Sequence, residues 1–199
     1  MIKKIFVTTF NFSLFEKYAN KLIDSFVKTD QSLKLYCYVE DNVDLYPKNK
    51  NIVYLNLFTE QPLCYKFIER NKEKSKINSK VSYLLDPVRF SYKVFAQSDA
   101  RKYSEQFFYI DADTEFLSKI PNDWYNECLP EDTLLSIYDR IGYYTEAGFV
   151  GFVGYFVIED FLRFSRIFTD FHGSAAAQRT SAQARATLEG FPGCFARVS

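Results

Sequence analysis

Asp111 and Asp113 stand one residue apart at the end of an apolar run, in "FFYIDADTEFLSKIP" (residues 107–121). Like charges repel and carboxylates resist apolar surroundings, so the pair needs a compensating partner. A divalent cation is one such partner. Mg²⁺ and Mn²⁺ prefer hard oxygen ligands and commonly take one or two carboxylates, with phosphate and water completing the shell. The other reading is a strand that ends in a solvated acidic turn. Three further features bear on the choice. Arg89 and Lys93 are four apart, on one face of a predicted helix, where two cations would neutralise phosphate oxygens; the alternative is a solvated basic stripe. Glu146 precedes the strand "GFVGFVGYF", whose Gly148 and Gly151 permit close approach of a ligand or of another packed chain segment. Thr8 and Thr9, followed by Phe10 and Asn11, close the first predicted strand with small polar groups and an aromatic, a set suited to a nucleobase and ribose.

The elements that must carry these residues follow from periodicity. Residues 3–9 read as a buried strand. A helix begins at Asn11 or Ser13, with Phe15, Ala19, Leu22, Ile23 and Phe26 on one face. Residues 33–40 and 51–57 read as strands. Residues 58–80, polar and Lys-rich, predict a short helix within a mobile surface excursion. Asp86-Pro87 predicts a helix start, with aspartate as N-cap and proline in the first turn. Strand 106–111, a short helix around Trp124, strands 132–138 and 148–156, and a helix over "EDFLRFSRIFTDF" complete the pattern. Strands alternating with helices predict an α/β fold, a mainly parallel Rossmann-like sheet with helices on both faces. In such sheets ligands lie beyond the strands' C-terminal ends where strand order reverses, and Asp111 and Asp113 occupy such an end.

The chain has 199 residues, enough for one domain with a sizeable core, and a globular composition of 47% hydrophobic and 19% aromatic residues. Twenty-five basic residues balance 25 acidic ones, which gives no footprint for nucleic acid or an anionic membrane. Cys37, Cys64, Cys128 and Cys194 are scattered and the chain has one histidine, which excludes the usual structural zinc patterns and predicts reduced thiols in a cytoplasmic protein. "MIKKIFVTTF" is too short an apolar run for a signal peptide, and no stretch reaches membrane-span length.

Composition shifts near residue 173. Up to His172 there are five alanines; from Ser174 onward there are seven, and no Lys, Asn, Tyr or Ile. The join "GSAAA" is what two common cloning sites placed back to back would encode. Residues 173–199 are therefore predicted to be a poorly ordered, vector-derived tail, and 1–172 the natural domain, itself incomplete.

Taken together, the β-α-β start, "RFSYK" on a helix, "FYIDADTEFLSKIP" and "EAGFVGF" resemble the nucleotide-sugar half of GT-A-fold glycosyltransferases, over residues 3–172. The resemblance implies sugar transfer from a UDP- or GDP-sugar to an unknown acceptor, with Mn²⁺ or Mg²⁺ on the donor diphosphate. It implies Asp113 as metal ligand, and Asp111 on the donor ribose or on the metal through water. Arg89 and Lys93 would contact phosphate or sugar. Glu146 is the candidate for acceptor or sugar contact. Asp160, in "IEDF", is a second candidate carboxylate, whose other reading is an acid in a helix's first turn. In the family a later His or Asp often completes the metal site and an acceptor-binding half follows; here His172 sits at the seam.

Two other enzyme classes and one non-enzyme reading compete. A haloacid-dehalogenase-type phosphatase has Asp-x-Asp at a strand end, but on the domain's first strand and with Thr or Val where Glu115 stands. A sugar-nucleotide pyrophosphorylase expects a glycine-rich loop after the first strand, and "VTTFNFS" has none. A non-catalytic nucleotide-sugar-binding module is the third alternative.

Overall fold

The computed structural model describes residues 3–81, 86–131, 133, 135–138, 146–153 and 195–197. Six strands form one sheet: β1 (Lys4–Phe10), β2 (Lys34–Val39), β3 (Ile52–Asn56), β4 (Gln106–Ile110), β6 (Leu135–Tyr138) and β7 (Glu146–Val153), in the order β3-β2-β1-β4-β7-β6. The strands β3, β2, β1 and β4 run parallel. β7 runs antiparallel to both β4 and β6, so the sheet is mixed on that side. Between β6 and β7 the reason is chain length: the stretch between Tyr138 and Glu146 is shorter than the roughly dozen residues a parallel crossover needs. β5 (Thr114–Phe116) stands apart, paired antiparallel with β8 (Phe195–Arg197). β8 is the described part of the segment read as a tail; the seam at 172–173 and the helix predicted over 159–171 lie outside the described residues.

Alternation along the strands sends side chains to two apolar layers. Phe6, Phe10, Phe108 and Ile110 pack with α2 (Asn20–Lys28) and α6 (Trp124–Cys128) on one face. Ile5, Val7, Tyr36, Tyr38 and Tyr109 pack on the other with α3 (Leu57–Glu60), α4 (Pro62–Val81) and α5 (Pro87–Ala100), through Leu57, Cys64, Ala96 and Ala100. Before α2, Asn11 caps a single helical turn, α1 (Phe12–Leu14), by accepting from Leu14 N–H at 2.9 Å, and a π-helical stretch, Phe15–Ala19, joins the two. The region predicted as a short helix and excursion is instead mostly α4, 20 residues long. Its stripe against α5 starts apolar, with Phe67 at 6.0 Å from Phe95, and ends polar, with the Ser75 hydroxyl on the Asp86 carboxylate.

α5 starts as Asp86-Pro87 predicts: the Asp86 carboxylate accepts from the N–H groups of Val88 and Arg89 at 3.0 and 3.1 Å. Its other end is pinned by Asp99, which is fully buried. Asp99 accepts from the Tyr38 hydroxyl at 3.0 Å and the Gln61 amide at 2.7 Å, and pairs with Lys102 at 2.5 Å. An unpartnered carboxylate there would cost several kcal/mol, so its three partners are needed, and the bond from Tyr38 ties α5 to β2. Gly151 is a packing glycine: an added Cβ would lie 3.2 Å from two Phe108 ring carbons and 3.3 Å from Ser136 Cβ.

Candidate active site

The chain leaves β1 outward to β2 and β3, then returns to lay β4 on the other side of β1. Strand order therefore reverses between β1 and β4, the place where open α/β sheets carry their ligand crevice. Val7 pairs with Tyr109, so Thr9 stands level with Asp111 at that edge. Beyond Ile110 the chain turns back at once. Asp111 N–H donates to Gly148 O at 2.8 Å, holding the strand end against β7, and Thr114 N–H donates to Asp111 O at 3.1 Å, closing a four-residue turn. Ala112, between the two aspartates, packs against the core layer of Phe108 and Ile110. Both carboxylates are left half-buried at the mouth of the crevice.

Lys93 compensates one of them. Its Nζ lies 2.6 Å from Asp111 Oδ1, with the side chains 23% and 31% exposed, and also 4.9 Å from the centroid of the Tyr109 ring. The phenol of Tyr109 is held well above its ordinary range by burial first, then by the charges of Asp111 and Asp113. Asp111 therefore lies on the α5 side of the sheet, the side Lys93 occupies. Asp113 has no ion pair or hydrogen bond among the described residues. Arg89 is exposed in the first turn of α5, one helical turn before Lys93.

The remaining sequence candidates are placed unevenly. Thr9 sits at the crevice and donates to Tyr38 O at 2.8 Å. Thr8 is fully buried, on the same face as Phe6 and Phe10, and its hydroxyl has no hydrogen-bond partner among the described residues. Glu146 opens β7 opposite Tyr138. Asp160 lies outside the described residues.

A second acidic pair, not singled out from the sequence, closes β2: Glu40 and Asp41. Asn11 brings it to the end of β1, its amide donating to Glu40 Oε2 at 3.4 Å. Asp41 accepts from Phe12 N–H at 2.5 Å and from the Tyr46 hydroxyl at 3.2 Å. Burial pushes the Glu40 carboxyl up to about 7, the bond from Asn11 opposing this and the charge of Asp41 adding to it. The available signal was the repeat of one pattern, since "YCYVED" and "FFYIDAD" both end an aromatic-rich strand in two acids.

The raised Glu40 carboxyl has a defined consequence for stability. Below its ordinary value of 4.5 the group is protonated whether the chain is folded or not. Between there and about 7 the folded chain keeps a proton that the unfolded chain has lost, so stability falls as pH rises. Above that window the full cost of a buried charge stands. Glu40→Gln keeps an acceptor for Asn11 and removes the charge. It is expected to stabilise the protein by on the order of 1–3 kcal/mol at about pH 8 and to change little at about pH 4. Urea melts at the two pH values check this; an equal effect at both would show that Glu40 does not titrate in this window.

Among the described residues no group of three or more His, Cys, Asp or Glu could by itself hold a metal ion. Two carboxylates at a turn suit a hard divalent cation that takes its remaining ligands from phosphate and water. The ammonium of Lys93, 2.6 Å from Asp111, already stands where such a donor set holds positive charge.

No protein-family model matches the sequence, and no curated protein matches it. Solved structures do. Mouse xyloside xylosyltransferase 1 in its apo form aligns over 93% of this chain and 77% of that one, at 10% identity and a TM-score of 0.50. An active-site mutant of LgtC aligns over 93% of this chain and 66% of its own, at 11% identity and 0.47. The bifunctional glycosyltransferase WbbM aligns over 82% of this chain at 11% identity and 0.37, and the chain spans 33% of that protein's length. The xylosyltransferase likeness shows the fold: this chain has a GT-A-like α/β fold.

Proposed function

We propose that the chain is a glycosyltransferase that moves a sugar from a UDP- or GDP-sugar to an acceptor hydroxyl, with Mn²⁺ or Mg²⁺ held at Asp113 and Asp111. The observation that carries this reading is the Asp111–Thr114 turn at the switch point of a GT-A sheet, with Lys93 paired to its first carboxylate. When bound, the cation supplies Lewis-acid stabilisation of the negative charge that develops on the leaving diphosphate. Asp113, without a partner among the described residues, is the ligand poised to take it, and Asp111 orients the donor's ribose or the cation's water. Lys93 and Arg89 add positive charge along one face of α5 toward the same phosphates. Thr9 and Asn11, with Glu40 and Asp41 behind them, frame the nucleoside end of the crevice. Glu146 is assigned to the acceptor or the transferred sugar, and Asp160 is the second carboxylate available to accept the acceptor's proton.

Thermal denaturation with UDP or GDP, each with Mn²⁺, Mg²⁺ or EDTA, tests the reading. One nucleotide diphosphate should raise the melting temperature with metal and not with EDTA. No response to either nucleotide under any of these conditions would leave the fold without its donor. A shift equally large in EDTA would remove the metal from the proposal.

A further inference from the structure

The proposed function leaves two donors open, UDP- and GDP-sugars, and the groups at the ends of β1 and β2 bear on the choice. Glu40 N–H donates to Phe10 O at 3.3 Å, so the parallel register of these strands runs on to Asn11 and Glu40. Alternation puts Glu40 on the face of Tyr36 and Tyr38, the α5 side that Lys93 also occupies. Burial, and after it the charge of Glu40, pushes up both the Cys64 thiol of α4 and the Tyr92 phenol of α5, so both groups face this carboxyl. Glu40 stands two strands from Asp111, about 10 Å across the sheet. A nucleoside diphosphate with its phosphates by Lys93 and Asp111 would bring its base there. The bonding of the pair is directional. Asn11 Oδ1 accepts from Leu14 N–H at 2.9 Å as a helix cap, which turns its amide nitrogen toward Glu40, and that nitrogen donates to Glu40 Oε2 at 3.4 Å. One amide N–H of Asn11 and Oε1 of Glu40 make no bond among the described residues. Side by side, the two groups offer a donor and then two acceptors.

We propose that Asn11 and Glu40 read the donor's base and select guanine, so that the donor is a GDP-sugar. The inference rests on the proposed nucleotide-sugar function. Guanine presents the complement of this pair on its pairing edge: the O6 acceptor, then the N1–H and N2–H donors. Uracil has one N–H between two carbonyl oxygens, so its second oxygen would face Glu40 Oε1. Adenine and cytosine would set a ring-nitrogen acceptor against the carboxylate. The match requires the ionised form of Glu40. Burial pushes this carboxyl up to about 7, and the titratable groups that face it, Asp41, Tyr46, Cys64 and Tyr92, include no cation. The N–H groups of the base would supply the missing stabilisation of its charge.

Isothermal titration of the full chain with GDP, UDP and inosine diphosphate, each with Mn²⁺, tests it. GDP should bind about 10- to 100-fold more tightly than UDP. Inosine diphosphate keeps the O6 and N1–H groups but lacks the 2-amino group, and should bind roughly tenfold more weakly than GDP. E40Q presents donor, acceptor, donor, the complement of uracil, so it should lose the difference between GDP and inosine diphosphate and prefer UDP. GDP affinity should rise between pH 6 and pH 8 in the parent and stay level in E40Q. The comparison of the three nucleotides on the parent stands whether or not E40Q folds. UDP binding as tight as that of GDP would overturn the inference and leave nucleotide binding in place. So would a preference for GDP over inosine diphosphate that E40Q retains. Failure to bind any of the three would remove the proposed function itself, and the inference with it.

Discussion

Asp113→Asn is expected to leave the free protein as stable as before, or slightly more so, and to abolish the metal-dependent stabilisation by nucleotide diphosphate that the proposed function requires. The two halves of this outcome have separate causes. In the free chain Lys93 neutralises Asp111 while Asp113 makes no bond among the described residues, so removing its charge relieves a repulsion and breaks nothing. In the bound chain binding to the native state adds RT ln(1 + [L]/Kd), about 2.7 kcal/mol at ~100 times Kd. In a domain of this size that is roughly 5–10 °C. Asparagine keeps the shape of the side chain but not the anionic oxygens that a hard cation selects. Sugar transfer should fall with it by on the order of 10²–10³, the usual loss when one group that stabilises transition-state charge is removed. Asp111→Asn makes the contrast, because it removes the ion pair with Lys93 and should cost the free protein about 1 kcal/mol. If Asp113→Asn itself lowered the stability of the free protein by ~1 kcal/mol or more, and the parent gave no nucleotide response, the turn would be a structural cap and not a binding site.

The parts of this molecule that can be read from the sequence are those set by neighbours along the chain. Alternation and helical spacing give the strands, the Asp86-Pro87 helix start, and Lys93 on the face that reaches Asp111. The antiparallel pairing of β6 with β7 was also available, since the chain between Tyr138 and Glu146 cannot hold a crossover. Alternation likewise separates the two threonines: Thr8 shares the inward face of Phe6 and Phe10, so Thr9 is the one left at the crevice. α4 was hidden for a different reason. Half of its buried stripe is polar, Asn71 and Ser75 standing where apolar residues would mark a packed face, and Ser75 is retained there by its bond to the Asp86 cap. Glu40 and Asp41 were hidden because their environment is tertiary. Only the parallel register of β1 and β2 brings Asn11 to Glu40, and only packing raises that carboxyl toward neutrality.

Phe6→Ala is expected to do the reverse of Asp113→Asn, lowering stability strongly while sparing the ligand response. Phe6 is fully buried in the central strand, with ring centroids 5.3 Å from Phe116, 5.8 Å from Tyr125, 5.9 Å from Phe108 and 6.4 Å from Phe26. Truncation removes the centre of a cluster drawn from β4 of the main sheet, from β5 of the small sheet, and from the helices α2 and α6. Because those rings are braced by other contacts, the space cannot collapse fully, and a loss of about 3–5 kcal/mol follows. That is a large part of a stability on the order of 5–15 kcal/mol, so the melting temperature should drop by roughly 10 °C or more. Phe6 points to the α2 and α6 side of the sheet, whereas Lys93 and the Tyr109 ring beneath it lie on the α5 side. At a temperature where the variant is still folded, nucleotide diphosphate with Mn²⁺ should therefore raise its melting temperature about as much as it raises the parent's. A loss of under ~1 kcal/mol would mean the aromatic layer is not the core of the folded state. Loss of the ligand shift in a folded Phe6→Ala protein would mean that the crevice depends on both layers, and the separation of core from site by sheet face would be wrong.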